Sequence, residues 1–203
     1  MAGWRKHSGP ALALMVDHID TDQLIPARFM SVPRSAGYGP YLLYDMRRDR
    51  ADQLLTDFPL NRHPEASILV SGAHFGSGSS REAAVYALLD AGIRAVIAPD
   101  FGDIFATNAV NNGLLPAQVS AETTQTLARA LGTGTSPLSV DLDSATLTLG
   151  ELTVSFDLDD SWRIKLINGW DDIDITQQHR DAISAYRETR NQTAPWAWPK
   201  AAD

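Results

Sequence analysis

Three short apolar runs, set between segments of helical character, constrain this chain more than any other feature. "ASILVSG" (66–72), "IRAVIAP" (93–99) and "LLPAQVS" (114–120) are apolar on both faces and too short for buried helices. Strands buried on both faces read this way, and strands that alternate with helices build a parallel sheet covered by those helices. "ALALMV" (Ala11–Val16) reads as a further buried strand ahead of them. The helices between are punctuated as expected. "DFGDIFATNAVNNG" stops at Gly113, and Ser120 stands at the N-cap of "AETTQTLARAL".

From Ser136 the texture changes. "LSVDLDSATLTLGELTVSFDLD" alternates apolar and polar residues, with turn residues at Asp143–Ser144 and Gly150–Glu151, which is an antiparallel pattern. "SWRIKLING" reads as a short helix ending near Gly169, and "QQHRDAISAYRETR" as an amphipathic C-terminal helix. "YLLYDMRRDRADQLL" (41–55) has the composition of a helix. "DHIDTDQLIPARF" and "SVPRSAGYGP" read as loops, and the tail from about 191 to 203 as irregular. The reading is one α/β domain spanning 1–203, with a parallel core and antiparallel strands. A chain of 203 residues buries a full core.

The net charge of -8 argues against nucleic acid or an anionic membrane as the main partner. The chain has no cysteine, so it forms no disulfide and offers no thiolate to a metal or cluster. That fits a cytoplasmic place. No apolar stretch approaches the ~18 residues that cross a bilayer, and "ALALMV", soon interrupted by Asp17, is too short for a signal sequence.

The most chemical stretch is "AHFGSGSSREAAVYALLDAG" (Ala73–Gly92). Ser79-Ser80-Arg81-Glu82 matches a capping box, which puts Ser79 at a helix N-cap. Apolar residues at Ala84, Ala87, Leu88 and Ala91 then make one helical face. Gly76 and Gly78 let the backbone approach a ligand, and the free N–H groups of a helix start favour an anion. A capped helix after a flexible turn is the plain alternative. The spacing meets neither a Walker loop nor GxGxxG.

Other polar groups have competing readings. Asp20, Thr21, Asp22 and Gln23 make an ordinary turn or orient a cationic group. Arg34, in a Gly/Pro loop, is either solvated or clamps a carboxylate. Asn108, Asn111 and Asn112 are natural at a helix end, and Asp100 and Asp103 at a helix start. His18 and His74 flank the two loops and are more simply structural.

"DTDQLIPARF", "ASILVSGAHFGSGSSRE", "VIAPDFGDIFATNAVNNGLLP", "LINGWDDIDIT" and "HRDAISAY" together resemble the 3-isopropylmalate dehydratase small subunits of the aconitase superfamily. They follow that family's order over most of the chain. The resemblance implies an aconitase-type swivelling domain with β/β/α layers. It implies a hydro-lyase that exchanges 2-isopropylmalate and 3-isopropylmalate through 2-isopropylmaleate in leucine biosynthesis. A separate large subunit carries a [4Fe-4S] cluster in this family, so this chain binds no metal itself and is inactive alone. Its other partner is the dicarboxylate substrate.

The same resemblance assigns roles. Ser79 is the catalytic base, Ser80 and Arg81 hold substrate, Asp22 orients a site group, and Arg34 binds a substrate carboxylate. Some positions depart from the family. Ser77 stands where Cys is common, Ala83 where His is common and His74 where Asn is usual; the segment before "LINGW" is shorter. These departures keep open a paralogous hydro-lyase subunit for another substituted malate or maleate, and beyond it a non-catalytic anion-binding module.

Overall fold

The computed structural model describes residues 2–198. In chain order the elements are β1 (Lys6–Leu14), three single turns α1 (Thr21–Leu24), α2 (Tyr44–Arg47) and α3 (Pro59–Arg62), then β2 (Ile68–Ser71), α4 (Glu82–Asp90), β3 (Ala95–Ala98), α5 (Asp103–Asn111), β4 (Leu115–Gln118) and α6 (Ala121–Leu131). The second half holds β5 (Thr135–Asp141), β6 (Thr146–Leu149), β7 (Leu152–Ser155), α7 (Asp160–Asn168), α8 (Asp172–Gln177) and α9 (Arg180–Thr193).

The strands form one seven-stranded sheet in the order β4-β3-β2-β1-β5-β6-β7. β1 joins its halves. It pairs parallel with β2, Ala11 opposite Ile68, and antiparallel with β5, from Lys6 opposite Asp141 to Leu12 opposite Thr135. The parallel and antiparallel strand sets expected from the sequence are therefore both present and hydrogen-bonded into one sheet.

β2 and β3 are buried at every residue, as their unbroken apolar runs require. Their residues alternate between two cores. Leu69, Val96 and Ala98 pack with Val85 and Leu88 of α4 and Phe105 of α5. Ile68, Val70, Ala95 and Ile97 pack with Leu127 and Leu131 of α6, Leu138 and Leu147 of the antiparallel half, and Leu166 of α7. Ser120 caps α6 as expected, its hydroxyl accepting from Thr123 N at 3.1 Å.

Three expectations are corrected. Residues 41–55 do not carry a long helix. Leu43 sits in the left-handed region at φ 51°, and α2 ends at Arg47, whose Nε donates to Asn61 Oδ1 at 2.7 Å. Arg48 then bridges to Leu54 as a small antiparallel turn. The loop after β1 holds α1, capped by a box the sequence shows in "DTDQ". The Asp20 carboxylate accepts from Gln23 N at 2.7 Å, and Gln23 Oε1 accepts from Asp20 N at 2.9 Å. The C-terminal helix runs to Thr193, so the irregular tail starts at Ala194 rather than 191; residues 199–203 lie outside the described residues.

Of the three asparagines, Asn112 acts as the structural reading expects. Asn112 is the C-cap of α5, and its amide reaches Asn108 O at 2.9 Å and Glu82 Oε1 at 2.8 Å. Asn111 Oδ1 accepts from Lys165 Nζ at 2.9 Å, and the same ammonium meets Asp172 Oδ1 at 2.5 Å. The ammonium's hydrogen bond holds the Asp172 carboxyl below the usual carboxylate range. Such a group stabilises the fold above its unfolded pKa of about 3.9 and loses that effect as pH falls through its lower folded value. Lys165→Met is expected to cost about 1–3 kcal/mol, because it leaves Asn111 Oδ1 without its donor and removes the ammonium that ties α7 to α5 and α8, while Asn111 Nδ2 keeps its 3.5 Å contact to Asp172 Oδ2. Urea melts at pH 7 and pH 3 check this: the gap between variant and parent should narrow at the lower pH. An equal gap at both removes Asp172 from the account.

Candidate active site

The site lies beyond the C-terminal ends of β1, β2 and β3, where open parallel sheets place their ligands. Three connecting segments run side by side there. His18 N donates to Ala73 O at 2.8 Å, Gly76 N to Ile19 O at 2.7 Å, and Thr21 N to Ser77 O at 3.0 Å. Phe75 N donates to Asp100 O at 3.2 Å and Gly102 N to Phe75 O at 2.9 Å. Ile19 and Phe75 are buried beneath this lacing and anchor it.

Gly76 and Gly102 are required by closeness. A Cβ on Gly76, at φ 72°, would stand 2.2 Å from Phe105 Cγ. A Cβ on Gly102 would stand 2.5 Å from Gly76 O. Gly78 has φ 96° and turns the chain outward into exposed Ser79 and Ser80. The buried Thr21 hydroxyl pins that turn by donating to Ser79 O at 2.9 Å.

The expected capping box at Ser79 does not form. α4 begins at Glu82, with Arg81 at the N-cap and no side-chain cap. Two contacts hold the chain extended through Ser80: the Thr21–Ser79 bond and an ion pair between Arg81 Nη1 and Asp22 Oδ1. Glu82 is drawn to Asn112 instead. One consequence favours an anion. Among the described residues, the backbone N–H groups from Ser79 to Ala83, just past Gly78, donate no hydrogen bond. Successive free N–H groups around a positive-φ glycine make a concavity suited to negative charge.

Four of the five sequence-predicted residues meet here. Ser79 and Ser80 are exposed at the turn, and Arg81, its side chain 17% exposed, lies beside the half-exposed Asp22. Arg34 does not join them. Its guanidinium forks onto Asp90, 2.7 and 3.0 Å, and lies 4.4 Å over the Tyr86 ring. Asp90 ends α4, so a helix of 9 residues separates Arg34 from Ser79, about 13 Å along its axis. The Asp90 carboxylate also accepts from Tyr38 N at 2.6 Å, so the pair fastens the Gly/Pro loop to the body. Burial, followed by the charge of Glu82, pushes the Tyr86 hydroxyl above its ordinary range. Arg34→Ala is expected to lower stability by about 1 kcal/mol. KM of the assembled enzyme should stay within about twofold. A large rise in KM without loss of stability returns Arg34 to the substrate.

Sequence reasoning missed one cluster. The His18 and His74 rings lie against each other, centroids 4.6 Å apart and planes tilted by 31°, and His74 Nδ1 lies 2.6 Å from Asp100 Oδ1. His74 N also donates to that carboxylate, at 2.9 Å. Both histidines are left-handed, at φ 57° and 59°. Asn and His are the side chains that tolerate this region, with Asp. His74 thus holds a backbone conformation that Asn would also tolerate, with an imidazole facing the site. No sequence spacing shows the pair, because β1 and β2 bring it together from 56 residues apart.

Residues 1–122 match the family model of the aconitase C-terminal domain. The chain is 41% identical over 200 residues to the 3-isopropylmalate dehydratase small subunit of Frankia alni, covering 97% of this chain and all of that one. It is 42% identical to the Shouchella clausii small subunit, over 91% of this chain and 95% of the relative. The solved structure of 3-isopropylmalate dehydratase from Methanocaldococcus jannaschii superposes with a TM-score of 0.64 at 24% identity, over 90% of this chain and 99% of that one. That match supports the α/β fold. The fold and site thus define a domain of aconitase type. The chain belongs to that superfamily's family of 3-isopropylmalate dehydratase small subunits, which are hydro-lyase subunits.

Proposed function

We propose that this chain is the substrate-side half of a dehydratase that interconverts 2-isopropylmalate and 3-isopropylmalate through 2-isopropylmaleate, in a cytoplasmic leucine pathway. The observation that carries the reading is the Ser79–Ser80–Arg81 turn, presented beside Asp22 over a row of free N–H groups, in a chain with these relatives. Arg81, steadied by Asp22, takes a substrate carboxylate as a fork. Ser80 hydrogen-bonds the substrate. Ser79 Oγ, ionised, removes the proton from the carbon next to the one that loses hydroxyl. The free N–H groups of the turn favour the alkoxide, in place of the helix N-cap expected from sequence. Water leaves, and returns to the other carbon with the proton restored.

The partner of this reading is a large subunit. A sequence without cysteine supplies no thiolate, and among the described residues no three His, Asp or Glu are placed to hold a metal. The family reading places a [4Fe-4S] cluster on that partner, where it would supply a Lewis acid for the leaving hydroxyl. The test is anaerobic reconstitution with the large subunit of the same organism, following 2-isopropylmaleate by absorbance. Turnover that needs both chains supports the reading. A stable complex that ignores isopropylmalate overturns the substrate.

His74, Ser77 and Ala83 favour one second reading, a paralogous subunit for another substituted malate. All three flank the turn, and the tilted His18–His74 ring pair changes the polar groups at its edge. A panel of substituted malates and maleates on the same complex separates the two.

A further inference from the structure

The segment between β1 and β2 encloses a cavity that the proposed reaction does not use. Its volume is about 240 Å³, below the ~300–1,000 Å³ of sites for drug-sized ligands. Leu42, Leu54, Leu60 and Pro64 give it apolar walls. Ala91 lines it too and follows α4 at the end opposite Arg81, so the cavity is separate from the Ser79 turn.

Two arginines, Arg47 and Arg48, line the same space. Arg48 has its counter-charge. Its Nη1 donates to Asp52 O at 2.8 Å and lies 3.6 Å from Asp52 Oδ1, and its guanidinium sits 4.5 Å over the Tyr44 ring. Arg47 has none. It is half-buried, and its partners are neutral: Nε donates to Asn61 Oδ1 at 2.7 Å and Nη1 to Leu42 O at 3.4 Å. Among the described residues no carboxylate pairs with it. Burial, followed by the charge of Arg48, lowers its pKa from the ordinary guanidinium value. The side chain is also fixed in place, because Asn61 is itself held by donating to Arg47 O and Leu55 O, each at 2.8 Å. A cation drawn out of water beside a second cation costs free energy until an anion joins it. The free edge of a guanidinium fits a carboxylate. The leucine walls add what inorganic phosphate would leave uncovered, a surface for an alkyl chain.

We propose that this cavity binds a small carboxylic acid with a short alkyl chain, its carboxylate on Arg47 and its chain against Leu42, Leu54 and Leu60. The inference is independent of the reaction proposed above. The experiment is calorimetric titration of the full chain with 4-methylpentanoate, with inorganic phosphate and 4-methylpentan-1-ol as the two half-ligands. Arg47→Met removes the charge. Leu54→Glu is the second variant: Leu54 is 50% exposed, so the fold should survive, as circular dichroism checks, and the new carboxylate competes for Arg47. Saturable binding of 4-methylpentanoate is expected, weaker by about tenfold or more in both variants and for both half-ligands. Phosphate binding as tightly as the acid overturns the alkyl site. Binding unchanged in both variants places the acid elsewhere and overturns the proposal, as does no binding to the parent. If the parent binds no acid, and Leu54→Glu weakens its association with the large subunit, Arg47 belongs to a carboxylate of that subunit. Each of these failures leaves the isopropylmalate reading to its own test by turnover.

Discussion

Ser79→Ala in the assembled enzyme is expected to lower kcat by about a hundredfold to ten-thousandfold while KM changes little. The hydroxyl is exposed and makes no structural hydrogen bond, since the Thr21 contact is to the Ser79 carbonyl. Removing it therefore leaves the turn in place and deletes only the proposed proton acceptor. Ser80→Ala, one residue on, should instead raise KM, because that hydroxyl is assigned to binding. Arg81→Lys should raise KM further by removing the fork geometry. Steady-state kinetics on the three variants, with thermal melts as the control on folding, separate these roles. Full activity of Ser79→Ala would sink the assigned base. Equal losses in all three, with lowered melting points, would make the turn structural.

The second large effect is on stability. Gly76→Ala places a methyl group 2.2 Å from Phe105 Cγ and 2.6 Å from Cδ1, at a φ of 72°. Phe105 cannot step aside, because its ring stacks on Phe101 at 6.3 Å and meets Phe75 edge-on at 5.4 Å. The carbonyl of Gly76 is also packed against Gly102. Overpacking and left-handed strain together are expected to cost about 3 kcal/mol or more. In a chain of this size that lowers Tm by roughly 6–12 °C. Gly92→Ala is the control: φ is 92°, but nothing lies within 4 Å of the added carbon. It should show the backbone strain alone, about 1 kcal/mol. Melts of the two variants side by side decide it. Equal losses would place the cost in the backbone and not in Phe105.

How much of this the sequence shows depends on distance along the chain. β2, β3 and β4 are legible because each is an apolar run closed by turn residues within a few positions. The hairpins of β5, β6 and β7 are legible for the same reason, from alternation and from Asp143–Ser144 and Gly150–Glu151. The start of α4 is misread because its rivals are remote. Nothing near Ser79 announces that Thr21 and Asp22 hold the chain extended until Glu82. The partner of Arg34 is hidden likewise: loop composition makes Arg34 look free, and Asp90 is 56 residues away. The site residues Ser79, Ser80, Arg81 and Asp22 come together because the family motif already encodes the pairing of the first two loops. The His18–His74–Asp100 cluster has no such motif and needs the sheet to become visible.

The position of β1 has a consequence for synthesis on the ribosome. The first strand made is the middle of the sheet, and its second edge pairs with Thr135–Asp141. Until that stretch has left the exit tunnel, β1 carries an open strand edge, which is a template for unwanted association. A fragment ending at residue 122, where the domain model ends, keeps that edge open permanently. Such a fragment holds every candidate catalytic group and should still aggregate. Nascent chains therefore pass through a long vulnerable interval that only the antiparallel half closes, and overproduction without chaperone capacity should fill inclusion bodies with chains stalled before it.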